Sequence, residues 1–297
     1  MTLASRTFCS RFVLTTYIVY FMVGVTAHLS ALLSLNKAHK GPSFEGNATC
    51  YDFLPYFFLI PFDSESTRGC KNALIFMDLG LGVLGSYVAS CDTLFCILLV
   101  SMKTNLKILS EATRSIRNRT LVKMGLPVDF KVLRDEDFPQ YEQALYSELK
   151  KCNLHLATLI RINEDIERIF SLVILLQTVT LVFMMASNIF IASLLSFSDP
   201  EMYSLIENCL AALIQLSMSC YFGSSITEAS LSYRRSLYEC DWYSGSKRFK
   251  ICILIMMVRL EKPLHLTAGK FFPLTLRTVI SVIKGSYSYA AMYRTVG

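Results

Sequence analysis

The chain has 297 residues, well beyond a small disulfide scaffold and near the usual upper limit of a single soluble core. Apolar residues make up 53% of it against 18% charged, with a net charge of +6 and a mean hydropathy of +0.43, whereas soluble domains carry about 25% charged residues. Abundant Phe, Tyr, Leu and Ile exclude disorder and no short period recurs, so the long apolar blocks read as those of a polytopic membrane protein.

A helix needs roughly 20 apolar residues to cross about 30 Å of hydrocarbon. Phe12 to Asn36 runs 25 residues without Lys, Arg, Asp or Glu, too long for the apolar part of a signal peptide. Leu74 to Met102 is interrupted only by Asp78 and Asp92. Ile169 to Ser198 gives 30 uncharged residues and Asn208 to Thr227 gives 20. The last block, Pro263 to Tyr293, contains Lys270, Arg277 and Lys284, seven residues apart and therefore one stripe of a final helix. Five spans are expected.

Lys and Arg in the connections set the orientation. Residues 101–168 carry 12, residues 228–262 carry 7, and Arg6 and Arg11 precede the first span, so one side has 21 against 5 on the other. The N-terminus is expected inside and the C-terminus outside. The sequon Asn47-Ala-Thr49 then faces outward and is the expected glycan site, while Asn118-Arg-Thr120 faces inward and should be silent. Of ten cysteines, none in metal-binding spacing, only Cys50 and Cys70 fall on the outer side. They can pair there or remain free, and the sequence leaves both open.

Ionisable residues inside a span are functional candidates by default. His28 is either such a group or a histidine satisfied near the outer interface. Asp78 and Asp92, 14 residues apart, share one face of the second span; the deeper Asp92 must find a donor or face water. The connections are patterned too. Leu145, Leu149, Cys152, Leu156, Leu159, Asn163, Ile166 and Phe170 recur at steps of four and three, a heptad stripe that carries the third span's helix beyond the membrane. Ile251 to Val258 is too short to span and reads as a buried helix in the same assembly. No phosphate loop, zinc motif or nucleophile elbow is present, so neither an enzyme nor a cofactor or nucleic-acid partner is expected.

From the fourth span onward the order of features is specific: Cys220-Tyr-Phe-Gly-Ser-Ser-Ile-Thr-Glu-Ala-Ser230, Leu237-Tyr-Glu-Cys-Asp-Trp-Tyr243, the short apolar segment, Leu266-Thr-Ala-Gly-Lys-Phe-Phe272 and Ser286-Tyr-Ser-Tyr289. This resembles the C-terminal half of the insect odorant receptor family, and Leu54-Pro-Tyr-Phe-Phe-Leu-Ile-Pro-Phe62 resembles that family's outer loop. The resemblance implies an all-α membrane protein whose five spans correspond to helices three to seven of a seven-helix fold, the first two either lacking in a truncated isoform or lying upstream of this start. It implies membrane helices over 1–103 with an outer loop at 37–72, a cytoplasmic helical connection at 104–168, two further membrane helices over 169–227, an anchor segment at 228–262 and a pore-lining helix over 263–297.

The implied function is that of a tuning subunit of an odorant-gated, non-selective cation channel. It would form a hetero-tetramer with a co-receptor in the plasma membrane of olfactory sensory neurons. Tyr17, Phe21, Gly24 and His28 fall on one stripe of the first span, Met77 and Leu81 lie one turn apart on the second, and Tyr203 adds an aromatic near the outer end of the fourth. These are the expected ligand-binding residues, with ordinary helix packing as the alternative. Matching the family's last helix places a hydrophobic gate at Met292 and Val296, with Thr295 lining the pore. Leu149, Leu156 and Asn163 are the expected anchor interface between subunits. The competing readings are a gustatory receptor, which shares the fold but ends in a Thr-Tyr signature, a non-functional truncated isoform, a G-protein-coupled receptor fragment, which requires the opposite orientation, and a transporter, which requires an internal repeat.

Overall fold

The computed structural model describes residues 3–38, 50, 54, 59–61, 67–127, 135–195 and 200–296. Seven helices follow in order: α1 (Leu3–Ala38), α2 (Thr67–Arg114), α3 (Ile116–Lys123), α4 (Pro139–Leu194), α5 (Pro200–Glu239), α6 (Lys247–Arg259) and α7 (Leu276–Val296). A two-residue antiparallel pair, β1 (Thr267–Ala268) with β2 (Phe272–Pro273), precedes α7.

Among the described residues, α1, α2, α4 and α5 are long and apolar enough to cross a membrane. The 21 residues of α7 are long enough, but it is not among the four: Arg277, Lys284 and the Ser286-Tyr-Ser-Tyr289 run make it less apolar. The 56 residues of α4 rise about 84 Å, far more than hydrocarbon thickness. A bilayer therefore accounts for only part of it, and its uncharged stretch begins at Ile169. The 48 residues of α2 and 40 of α5 overrun the bilayer in the same way, although the sequence patterning announces this only for α4.

The chain divides into two compact units. The first comprises 1–5, 96–177 and 218–278; the second comprises 6–95, 178–217 and 279–297. In the first, the heptad stripe of α4 is buried from Leu145 to Ile166 together with Leu106 and Leu109 of α2, Tyr233 and Leu237 of α5, and Phe249, Ile253 and Met256 of α6. The short α3 buries Ile116, Thr120 and Leu121. It stops because Gly125 takes φ 70°, which lets the Leu126 N–H reach the Leu121 carbonyl and the Gly125 N–H reach that of Val122. At α6, the Ser246 hydroxyl caps the first turn by accepting from the Phe249 N–H.

Two expectations need correction here. The last helix begins at Leu276 rather than near Pro263. Lys270 is therefore not on a helical stripe with Arg277 and Lys284. It sits with Gly269 in the tight turn between β1 and β2, both at left-handed φ (62° and 59°), as a type I′ turn requires. A strand pair of two residues a side leaves too little alternation in the sequence to be read.

Candidate functional site

In the second unit, α1 and α2 are joined by polar pairs at successive depths. His28 Nδ1 pairs with the Asp78 carboxylate, both side chains about a third exposed. The Tyr17 hydroxyl lies 2.7 Å from that of Ser90. Deeper in the span, Tyr20 donates to Asp92 Oδ2 at 3.1 Å, and the Gln215 amide of α5 donates to the same oxygen. A carboxylate in a span is costly unless partnered, and Asp92 draws its donors from two neighbouring helices. Both aspartates face α1, in line with their 14-residue spacing. Tyr20 and Gln215 escaped the sequence reading: each is a polar group in an apolar run, which signals a partner without saying which one.

The expected ligand-binding residues are not gathered around one space. Met77, 1% exposed, packs with Ala31 and Leu74, and Leu81 lies on the flank of that cluster. Tyr17 and His28 hold α1 to α2. Phe21 and Tyr203 are 71% and 69% exposed, and a Cβ built on Gly24 meets nothing within 4 Å. Cys50 and Cys70 form a disulfide with Cα atoms 5.6 Å apart, buried with Ala73 and flanked by Leu54 and Ile60. Asn47 lies outside the described residues. Asn118 is exposed on α3.

On α7 the chain covers a single edge, Val279, Val282, Ser286 and Ala290. Ile280, Ile283, Tyr287 and Met292 are exposed, and Tyr289 meets the Phe183 ring at 6.2 Å between centroids. Thr295 and Val296 are in the last turn of α7, and their side chains lie outside the described residues.

The anchor-interface residues also need correction. Leu149 and Leu156 are 0% and 1% exposed, so the stripe is consumed by packing within this one chain and leaves no surface for another subunit. Asn163 is likewise buried, its amide donating to the His265 carbonyl at 3.4 Å. Among the described residues an apolar face remains open on α6, where Ile251, Leu254, Ile255 and Val258 are exposed at the spacing of one helical stripe.

Charged groups of the first unit pin its loops to its helices. Arg117 grips Asp135 with two 2.9 Å bonds and the Asp241 carbonyl at 2.6 Å. Burial works against the Arg117 charge, and the Asp135 carboxylate more than offsets it, so the guanidinium pKa is raised. Hydrogen bonds from Lys123 and Lys151, each 2.8 Å, hold the Glu148 carboxyl down at about 2. Among the described residues no His, Cys, Asp or Glu cluster is placed to hold a metal ion.

The 7tm Odorant receptor family matches residues 2–287. Odorant receptor 46a, isoform B, of Drosophila melanogaster is 24% identical over 162 residues, 53% of this chain and 42% of that one. Odorant receptor 67c of the same species is 29% identical over 141 residues, 46% of this chain and 33% of that one. The odorant receptor coreceptor of Aedes aegypti is 32% identical over 78 residues, 26% of this chain and 16% of that one. The matched stretch is thus less than half the length of each of these relatives. The structure of the insect olfactory receptor OR5 from Machilis hrabei in complex with eugenol superposes with a TM-score of 0.75 at 14% identity, covering 99% of this chain and 68% of that chain. The two share a fold.

Proposed function

The chain belongs to the 7tm odorant receptor family, and on that premise we propose that it is a tuning subunit of an odorant-gated, non-selective cation channel that assembles with the odorant receptor coreceptor. The observation that carries the subunit reading is the α6 stripe. Ile251, Leu254, Ile255 and Val258 project from a helix too short to span, and an apolar face outside the bilayer calls for a protein partner. This stripe replaces Leu149 and Leu156 as the assembly face. The narrow covered edge of α7 supports the same reading, because a helix left open on most of its circumference has room for neighbouring subunits and a pore. Met292 and Val296 are the proposed gate, one turn apart, with Thr295 beside them. The expected orientation puts the first unit in the cytoplasm and the disulfide outside, in the plasma membrane of olfactory neurons. The ligand is a small volatile molecule; the fold neighbour's eugenol supplies a first probe.

The test is co-expression with the coreceptor and recording of currents evoked by eugenol, 1-octanol and isoamyl acetate. Cation currents that survive exchange of Na⁺ for K⁺ are the expected result. Surface-expressed complexes that pass no current with any probe overturn the channel reading. Loss of coreceptor co-purification in Leu254→Glu is expected for the α6 face, and retention assigns assembly elsewhere.

A further inference from the structure

The segment between α6 and α7 follows α4 in register. Asn163 donates to the His265 carbonyl at 3.4 Å. Glu167 accepts from the Thr267 hydroxyl at 2.5 Å. The Ser171 carbonyl accepts from the Gly269 N–H at 2.9 Å, and a Cβ on Gly269 would press on Leu175. Residues 163, 167 and 171 advance by four on the helix, while their partners 265, 267 and 269 advance by two. Four helical residues rise about 6 Å and two extended residues about 6.6 Å, so the two periods match and the segment zips along one face of α4.

Its other side is fixed to α5. The Leu264 N–H donates to the Ser230 hydroxyl at 3.1 Å. Gly223 sits so close to Leu274 that an added Cβ would lie 2.8 Å from its Cβ and 2.9 Å from its carbonyl oxygen. Leu274 is two residues before the start of α7. Asn163 Oδ1 and Ser171 Oγ, on the zipped face of α4, are buried with no protein partner, two groups that a displaced segment can engage.

We propose that residues 264–274 form a strap that sets the position of α7 from α4, with Glu167 as its positioning residue. The proposal rests on the reading of α7 as the pore helix. A shift of α4 along its axis carries the strap with it, because three successive contacts share its register. Leu274, two residues before α7 and braced against Gly223 of α5, then passes the shift along the chain to the first turn of α7. Glu167 and Thr267 are the only two of the zipped positions joined side chain to side chain in the described contacts, so they can be cut without touching the backbone.

Two readouts test the strap on the whole receptor co-expressed with the coreceptor. One is the concentration dependence of currents evoked by eugenol, 1-octanol and isoamyl acetate. The other needs no current: the rate at which a thiol reagent labels Ile283→Cys on α7, above the parent's background. Glu167→Ala and Thr267→Val should each shift the half-maximal concentration or the labelling rate by about fivefold or more, the low end of ordinary coupling between sites. Thr267→Ser should match the parent, and the Glu167→Ala/Thr267→Val double variant should be no worse than either single one. Surface amounts should stay unchanged. Singles that stay within about twofold of the parent in both readouts, or that change only surface amount, overturn the strap. If the parent passes no current with any probe, the pore reading falls and labelling alone decides: a rate within about twofold of the parent overturns the strap, and one shifted about fivefold or more in either direction sustains it as the element that positions α7.

Discussion

A carboxylate inside a membrane span is tolerated only when other helices bring it donors, and Asp92 has the Tyr20 hydroxyl and the Gln215 amide. Tyr20→Phe should therefore lower the thermal stability of the detergent-purified receptor by about 1.5–3 kcal/mol, the usual worth of a hydrogen bond to a charged group. An unchanged melting temperature would show that Asp92 is satisfied without Tyr20. Glu148 gives a pH signature instead. Its carboxyl is drawn from 4.5 to about 2 by hydrogen bonds from Lys123 and Lys151. The unfolded chain binds the proton first, so this stabilisation is complete above about pH 4.5 and is lost as pH falls toward 2. Glu148→Gln should flatten the melting temperature against pH across that window. The effect should shrink in high salt, because both lysines are largely exposed. An unaltered slope would mean that the two lysines do not hold the carboxylate in solution.

At the scale of the helix, two apolar stripes in the first unit have different fates. The stripe of α4 is buried within the chain; that of α6 is open beyond its own buried edge of Phe249, Ile253 and Met256. A glutamate introduced at 149 would be buried without a partner, which costs several kcal/mol. Leu149→Glu should abolish the folded, surface-expressed receptor altogether. Leu254→Glu should leave surface expression of the separate chain and its melting temperature intact while removing association with the coreceptor. Size-exclusion chromatography with quantified surface biotinylation separates the two outcomes, and equal loss of folding in both would assign the α6 face to the chain's own core. Both stripes have helical spacing in the sequence, and periodicity alone cannot say whether a stripe meets its own chain or another.

For the whole molecule, orientation is the decisive property, because the proposed function needs one unit outward and the other inward. The Cys50–Cys70 bridge needs an oxidising compartment, so the proposed orientation, which puts that bridge outside, is open to a direct test. Asn47→Gln should abolish a glycosidase-sensitive gel shift, and Asn118→Gln should leave it in place; a shift that follows Asn118 reverses the orientation. With 20 residues separating the two cysteines, opening the bridge should lower stability by about 3 kcal/mol through loop-closure entropy. Cys70→Ser and mild reduction of the parent should therefore lower the melting temperature alike, and reduction should do nothing further to Cys70→Ser.

The sequence by itself determined the membrane class, the positions of the first four apolar blocks, the continuation of the α4 helix ahead of its uncharged stretch and the membership that Ser286-Tyr-Ser-Tyr289 and its neighbours signal. Each of these follows from local composition or from a period along one element, and neither needs a partner to be known. It also placed Asp78 and Asp92 on one face, since 14 residues is close to a whole number of helical turns. Only the tertiary structure decided that Tyr20 and Gln215 are the donors to Asp92, that Met77 is buried and Phe21 exposed, and that the α4 stripe is internal while the α6 stripe is not. The same holds for the strap, in which residues about a hundred positions apart meet because a helical step of four and an extended step of two happen to rise equally. Such pairings depend on how helices distant in sequence are set side by side, and no pattern within a single element carries that information.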